Sequence, residues 1–187
     1  MKKILLMILM TLPVMAMAQT DKKYLAGAVP EENGIVTFTR TFDVEGKSQA
    51  AIYGALQTVL KQLVENGRKD LRTRIVSDEN NTVVARVEEI MTFKKKFLNW
   101  DHTYFRYIIA AEALSDTQAR VIIKNISYYY LFDQEGKNGE EYKAEEWITD
   151  KAAINKAGTK LFPRSGKFRT KTIDRVEEIF NEVKSAL

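Results

Sequence analysis

The sequence predicts an α+β domain: an antiparallel sheet of about five strands, a long helix packed across one face, and helices at the C-terminus, in the order β-α-β-β-β-β-α. Three observations carry this. Residues 99–132 read as a long hairpin, NWDHTYFRYIIAAEAL, SDT, QARVIIKNISYYYLF, which holds eight aromatic residues. Ile52, Leu56, Val59, Leu60 and Leu63 recur at spacings of three and four, the signature of a helix with one apolar face. Residues 34–44 and 82–93 alternate apolar and polar, as strands with one buried face do.

The first 18 residues stand apart from the fold. Lys2 and Lys3 precede an almost wholly apolar run, Ile4 to Met15, and Ala16-Met17-Ala18 offers a small-x-small cleavage site, the pattern of a secretory signal peptide. A membrane anchor needs about 20 apolar residues, and this run is shorter. The chain is therefore expected in the periplasm or outside the cell, with no transmembrane segment after cleavage. Cleavage leaves 169 of the 187 residues, which fits one domain, 34–187, behind a tether at 19–33. With no cysteine, the core must hold without disulfides. The net charge of +4 falls to +2 without Lys2 and Lys3, too little to argue for a nucleic-acid partner.

Along the domain, Val36, Phe38, Phe42 and Val44 share one strand face, interrupted by Arg40. Gly46-Lys47-Ser48 turns the chain into the helix, with Ser48 as its N-cap and Asn66-Gly67 as its end. Leu71–Ser77 and Thr82–Phe93 follow as strands around the turn Asp78–Asn81. Val83, Ala85, Val87, Met91 and Phe93 face inward with Glu89 among them, and Arg86, Glu88 and Thr92 face outward. Lys94-Lys95-Lys96 reads as a solvated turn. In the hairpin, strict alternation puts Phe105, Tyr107, Ile109, Ala111, Val121, Ile123, Tyr129 and Leu131 on the helix side. It opposes Ala111 to Val121 and Tyr104 to Tyr128. Residues 133–150 read as a polar loop or a small excursion, with Trp147-Ile148 pinning it back. A short helix capped by Thr149 or Asp150 is expected, with Ile154, Ala157 and Leu161 inward, then a break at Pro163–Gly166 and a last helix from about Thr172.

A strand running through Gly-Lys-Ser into a helix, NGIVTFTRTFDVEGKSQAAIYGAL, then the strand pair RIVSDENNTVVARV and the aromatic hairpin, resembles the secreted bacterial domain-of-unknown-function family numbered 4468. The resemblance covers about Gly34 to Phe132. It implies export and a TBP-like fold, with a curved antiparallel sheet and a helix across it. It brings no catalytic residues, and the fold label describes shape without implying DNA binding.

No stretch carries a recognisable catalytic motif. A P-loop needs a glycine five positions before Gly46, where this chain has Thr41. His102 is the sole histidine, too few for a Cys/His zinc site, and alternation aims Asp101 to the opposite face. In the acidic stretch after Phe132, Glu135, Lys137 and Asn138 occupy positions where an EF-hand needs other residues. Asn80-Asn81-Thr82 and Asn125-Ile126-Ser127 match the glycosylation sequon by coincidence of composition. No cofactor or metal is expected. The candidate site is the outer face of the hairpin, where Trp100, His102, Tyr104, Arg106, Lys124, Tyr128 and Tyr130 are expected to gather. Exposed aromatics in that number would exceed the apolar patch a monomer usually shows. The expected function is non-catalytic binding of a protein, glycan or lipid-like partner in the cell envelope. The alternatives are an envelope hydrolase of unrecognised class or a structural subunit of an envelope assembly.

Overall fold

The computed structural model describes residues 20–69, 72–97, 99–130 and 138–187. A small hairpin of β1 (Glu31–Glu32) and β2 (Ile35–Val36) precedes β3 (Phe38–Asp43) and the helix α1 (Gln49–Asn66). Then come β4 (Arg74–Glu79), β5 (Thr82–Lys96), β6 (Asn99–Ala113) and β7 (Gln118–Tyr130). β8 (Glu140–Lys143), the single turns α2 (Ala144–Trp147) and α3 (Asp150–Ala153), and α4 (Pro163–Ala186) end the chain. The main sheet runs β3-β7-β6-β5-β4, with β8 beside β7, and every pairing is antiparallel. The hairpin β6–β7 is thus central.

α1 starts where the sequence puts it. The Ser48 hydroxyl accepts from the Ala51 N–H at 3.3 Å, and Ile52, Leu56, Val59, Leu60 and Leu63 are buried against β4, β5 and β6. Each such side chain contributes about 1.5–3 kcal/mol on burial. The end of α1 differs from expectation. Gly67 has an ordinary φ of −68°, not a left-handed one. It is glycine for space, because a Cβ there would meet Thr73 Cγ2 at 2.7 Å.

α4 begins nine residues earlier than the apolar stripe alone suggests, at Pro163 rather than Thr172. Proline suits the first helical position, where its missing N–H would have no partner. Gly166 lies inside the helix because Leu161 packs against it; an added Cβ would sit 2.7 Å from Leu161 Cβ. The expected short helix starts at Asp150 behind Thr149 but is the single turn α3; Ile154–Leu161, expected to continue it, is a tight loop closed by an Ile154–Leu161 bridge. The polar residues that interrupt the inner face reach α4. Arg40 makes a two-pronged ion pair with Glu177 (2.6 and 3.0 Å), and Glu89 pairs with Arg175 at 2.9 Å.

The largest departure from simple alternation is at Asn125. Its φ of 55° is left-handed, a conformation asparagine tolerates better than most residues. There the β6–β7 register shifts between Arg106 and Ile108, a β-bulge that inserts one residue into β7. Ala119, Val121 and Ile123 face the helices before it; Ile126 and Tyr128 do so after it, all buried. Tyr128 and Tyr130 are therefore on the helix side and Tyr129 points outward, the reverse of the alternation reading. Tyr104 opposes Tyr129, not Tyr128. Leu131, expected inside, lies outside the described residues.

On the helix side, Phe168 of α4 is the hub. Its ring centroid lies 4.5 Å from Phe93, 5.0 Å from Tyr128, 5.2 Å from Tyr130 and 5.8 Å from Trp147. Tyr128 bonds the Thr172 hydroxyl at 2.6 Å, and burial raises its phenol pKa. Residues 140–147, expected as a loop or small excursion, form β8 and α2 and extend this aromatic core, with Tyr142 stacked on Trp147 at 4.1 Å. Residues 20–33, expected as a tether, are held at their start by fully buried Arg169. Its guanidinium donates to the carbonyls of Tyr24, Leu25 and Ile148 and to Asp150, at 2.6–2.7 Å.

Candidate functional site

α1, α2 and α4 pack against the sheet, α3 packs on α2 and α4, and the buried strand residues face these helices, which leaves the other side of the sheet as the candidate surface. Cross-strand pairing sorts the outer side chains into rows. One row is Ser77, Val84, Ala110, Ile122 and Thr39, apolar in its middle with a hydroxyl residue at each end. The next is Arg74, Arg86, Ile108 and Lys124. Then come Glu88, Arg106, Ser127 and Lys143, and after them Ile90, Tyr104, Tyr129 and Glu141. Thr92 and His102 form the last pair before a bulge at Phe93. A cationic band thus lies between an apolar band and an aromatic one.

Glu88 is the electrostatic centre. Its side chain is 1% exposed although it faces outward. Arg68 and Arg106 both donate to it, Arg106 Nε at 2.5 Å, and Arg72 stands 3.8 Å away. Arg106 also reaches Glu141 at 3.3 Å. The same guanidinium groups cover the aromatic row: Arg68 lies 3.7 Å above the Tyr104 ring and Arg106 5.2 Å from Tyr129. A buried carboxylate between guanidinium forks is held by charge-assisted bonds and fixes the surrounding geometry.

Arg86 and Lys124 are different. Both are exposed, and neither pairs with a carboxylate among the described residues. They flank Ile108 in one row, about 10 Å apart over two strand spacings. Arg86 also directly opposes Arg74, and directly opposed like charges destabilise a sheet. A groove of 490 Å³ opens here, lined by Arg72, Arg86, Arg106, Ile108, Asn125 and Glu141. It meets a second groove of 540 Å³ at Asn125, Ser127 and Glu141. That junction is where β7 exchanges β3, which pairs to Ile123, for β8, which pairs from Ser127.

Of the seven residues predicted from sequence, Tyr104, Arg106 and Lys124 belong to this surface. Trp100 and His102 are on the same face but farther out on the hairpin arm, stacked on each other at 3.8 Å. His102 is 5% exposed, its Nδ1 2.9 Å from the Trp100 carbonyl. Asp101 turns the other way and bonds Lys167 and Tyr130, so it forms no dyad with His102. Tyr128 and Tyr130 leave the site for the core, by the bulge described above. Sequence reasoning missed Arg68, Arg72 and Arg86. Arg86 was legible as outward-facing, whereas Arg68 and Arg72 arrive from the segment after α1, where no periodicity points to them. Among the described residues, no three His, Cys, Asp or Glu side chains converge as a metal ion would need.

The profile of the family described as a domain of unknown function (DUF4468) with TBP-like fold matches residues 38–129. The crystal structure of a DUF4468 family protein from Bacteroides ovatus is 39% identical and superposes with a TM-score of 0.78, over 89% of this chain and 94% of that one. A TBP-like protein from Parabacteroides distasonis is 21% identical with a TM-score of 0.68, over 84% of this chain and 96% of that one, and shares the fold. No curated protein matches the chain.

Proposed function

The chain belongs to the DUF4468 family with TBP-like fold, and from that premise we propose that it is an exported, non-catalytic binding domain that docks an anionic partner on the outer face of its sheet. The observation that carries this is the pair Arg86 and Lys124, exposed on either side of Ile108 without carboxylate partners among the described residues. Fixed cations beside a groove favour an anionic partner through complementarity and faster encounter. The assembled features favour binding over catalysis. Glu88 is occupied by guanidinium donors, and the His102 ring is stacked on Trp100 with Asp101 on the opposite face. Export rests on the charged, apolar and small-residue pattern of the first 18 residues.

Two measurements test the reading. Mass analysis of the protein from the envelope fraction should find the N-terminus at Gln19; an intact Met1 in the cytosol refutes export. A photo-crosslinking residue at Ile122 should yield envelope adducts that the same residue at Lys184, on α4, does not. The adducts at Ile122 should vanish when Arg86→Glu and Lys124→Glu are combined. Equal adducts at both positions, or none at Ile122, would end the outer-face proposal.

A further inference from the structure

Beyond Thr103 and Met91 no third strand pairs with the hairpin β5–β6 among the described residues. There β7 pairs with β6 as far as Thr103, and β4 pairs with β5 as far as Arg86. Residues 92–96 and 99–102 therefore form a two-stranded arm, roughly 15 Å long at about 3.3 Å per residue. Isolated two-stranded ribbons are marginal in water. This one is braced. Trp100 stacks on His102, its indole N–H donates to Thr92 Oγ1 at 3.1 Å, and Lys95 Nζ lies 5.4 Å from its ring.

At the end of the arm Phe97 is 99% exposed, the most exposed of the large apolar side chains described. Lys94, Lys95 and Lys96 precede it, all exposed, and none of the three pairs with a carboxylate among the described residues. Trp100 is 43% exposed beside them. A braced arm that presents a bare phenyl ring gains nothing from water. The combination of an apolar tip, a collar of lysines and an amphipathic tryptophan has the chemistry of a membrane interface. Phenyl enters the acyl boundary, lysines meet anionic headgroups, and tryptophan sits between.

We propose that the β5–β6 arm is a membrane-surface peg: Phe97 inserts into a phospholipid leaflet while Lys94, Lys95 and Lys96 contact anionic headgroups. An acidic polymer in solution would satisfy the lysines and leave Phe97 in water, so the exposed ring decides for lipid. One ring and three lysines give weak, reversible attachment, comparable to a single acyl anchor. Attachment would bring the domain to the membrane without using Arg86 or Lys124, so the peg stands independently of the outer-face reading.

The test is co-sedimentation of the chain from Gln19 with vesicles of phosphatidylcholine containing phosphatidylglycerol, against phosphatidylcholine alone. Binding should require the anionic lipid and weaken as salt rises. Phe97→Asp should lower it about tenfold or more. Replacing all three lysines by Gln should lower it by about fivefold per lysine. Lys184→Gln, on the exposed side of α4 and away from the arm, should leave it unchanged. Circular dichroism of each variant confirms that the fold is kept, since every substituted side chain is exposed. Wild-type protein that ignores anionic vesicles overturns the peg. So does binding that Phe97→Asp leaves intact, or binding to a soluble polyanion that equals binding to vesicles.

Discussion

The two faces of one sheet are built on opposite rules from the same strands. On the helix side, Phe105, Tyr107, Ile109, Val121, Ile123 and Tyr128 are within 1% of full burial, and Phe168 locks their aromatic end to α4. On the outer side the neighbouring residues of the same strands form rows of half-buried Tyr104, Arg106, Ile108 and Tyr129 and exposed Arg86 and Lys124. The inner face is held by shape, where removing volume is costly. The outer face is held by charge around Glu88, where removing one partner leaves others in need. Stability should therefore be concentrated on one face, and chemistry available to a partner on the other.

The sharpest break of this contrast is Phe168→Ala. It removes the ring that touches Phe93, Tyr128, Tyr130 and Trp147 at once, and should cost about 3–5 kcal/mol by urea unfolding. A loss under about 1 kcal/mol would mean that the aromatic cluster is not the anchor of α4. Next comes Glu88→Gln, which should cost about 2 kcal/mol because Arg68 and Arg106 lose their charged acceptor. It is the exception that sharpens the comparison, an outer-face residue whose role is structural. If its removal is neutral, the guanidinium groups have other acceptors and Glu88 is not the centre of the face.

The Asn125 bulge divides Tyr128 from Tyr129, and the two can be compared directly. Tyr128→Phe should lose about 1 kcal/mol with the buried bond to Thr172, while Tyr129→Phe, whose hydroxyl donates to the Asn138 carbonyl in an exposed bond, should stay within about 0.5 kcal/mol. Equal effects would contradict the shifted register. Burial also raises the phenol pKa of both Tyr107 and Tyr128. A raised folded pKa favours the protonated form, so this contribution is complete below the ordinary phenol value of about 10 and is lost as pH rises beyond it. Unfolding followed by circular dichroism should therefore set in above about pH 10, and Tyr128→Phe should make that onset less steep.

The elements on either side of the bulge show what a sequence can carry. Residue alternation places Tyr104, Arg106 and Lys124 outward and Phe105, Tyr107 and Ile123 inward, because each sits on an uninterrupted stretch of strand. It fails after Asn125, since one inserted residue reverses every later side chain. The cue was present: Ile123 and Ile126 are both apolar across Lys124-Asn125, and asparagine is a residue that accepts a left-handed φ. Arg40 and Glu89 looked like flaws in apolar faces. Their partners, Glu177 and Arg175, lie far along the chain on α4 and have no local signature. The Glu88 cluster was half legible for the same reason. Its strand members follow from alternation, and Arg68 comes from an irregular segment.

The smallest effect separates the two faces most cleanly. Arg86 lies directly opposite Arg74, and such a pair costs a few tenths of a kcal/mol. On an inner face a residue that costs stability would have no reason to stand there; on a docking face the cost is the counterpart of affinity for an anion. Arg86→Gln should accordingly raise stability by about 0.3 kcal/mol at low salt. The gain should disappear at high ionic strength, where exposed charges are screened. The same substitution should weaken the crosslinking at Ile122. Thermal unfolding at two salt concentrations reads the first part. If Arg86→Gln instead lowers stability by more than about 1 kcal/mol, Arg86 belongs with Glu88 among the structural charges, and the cationic row loses its role as the open part of the surface.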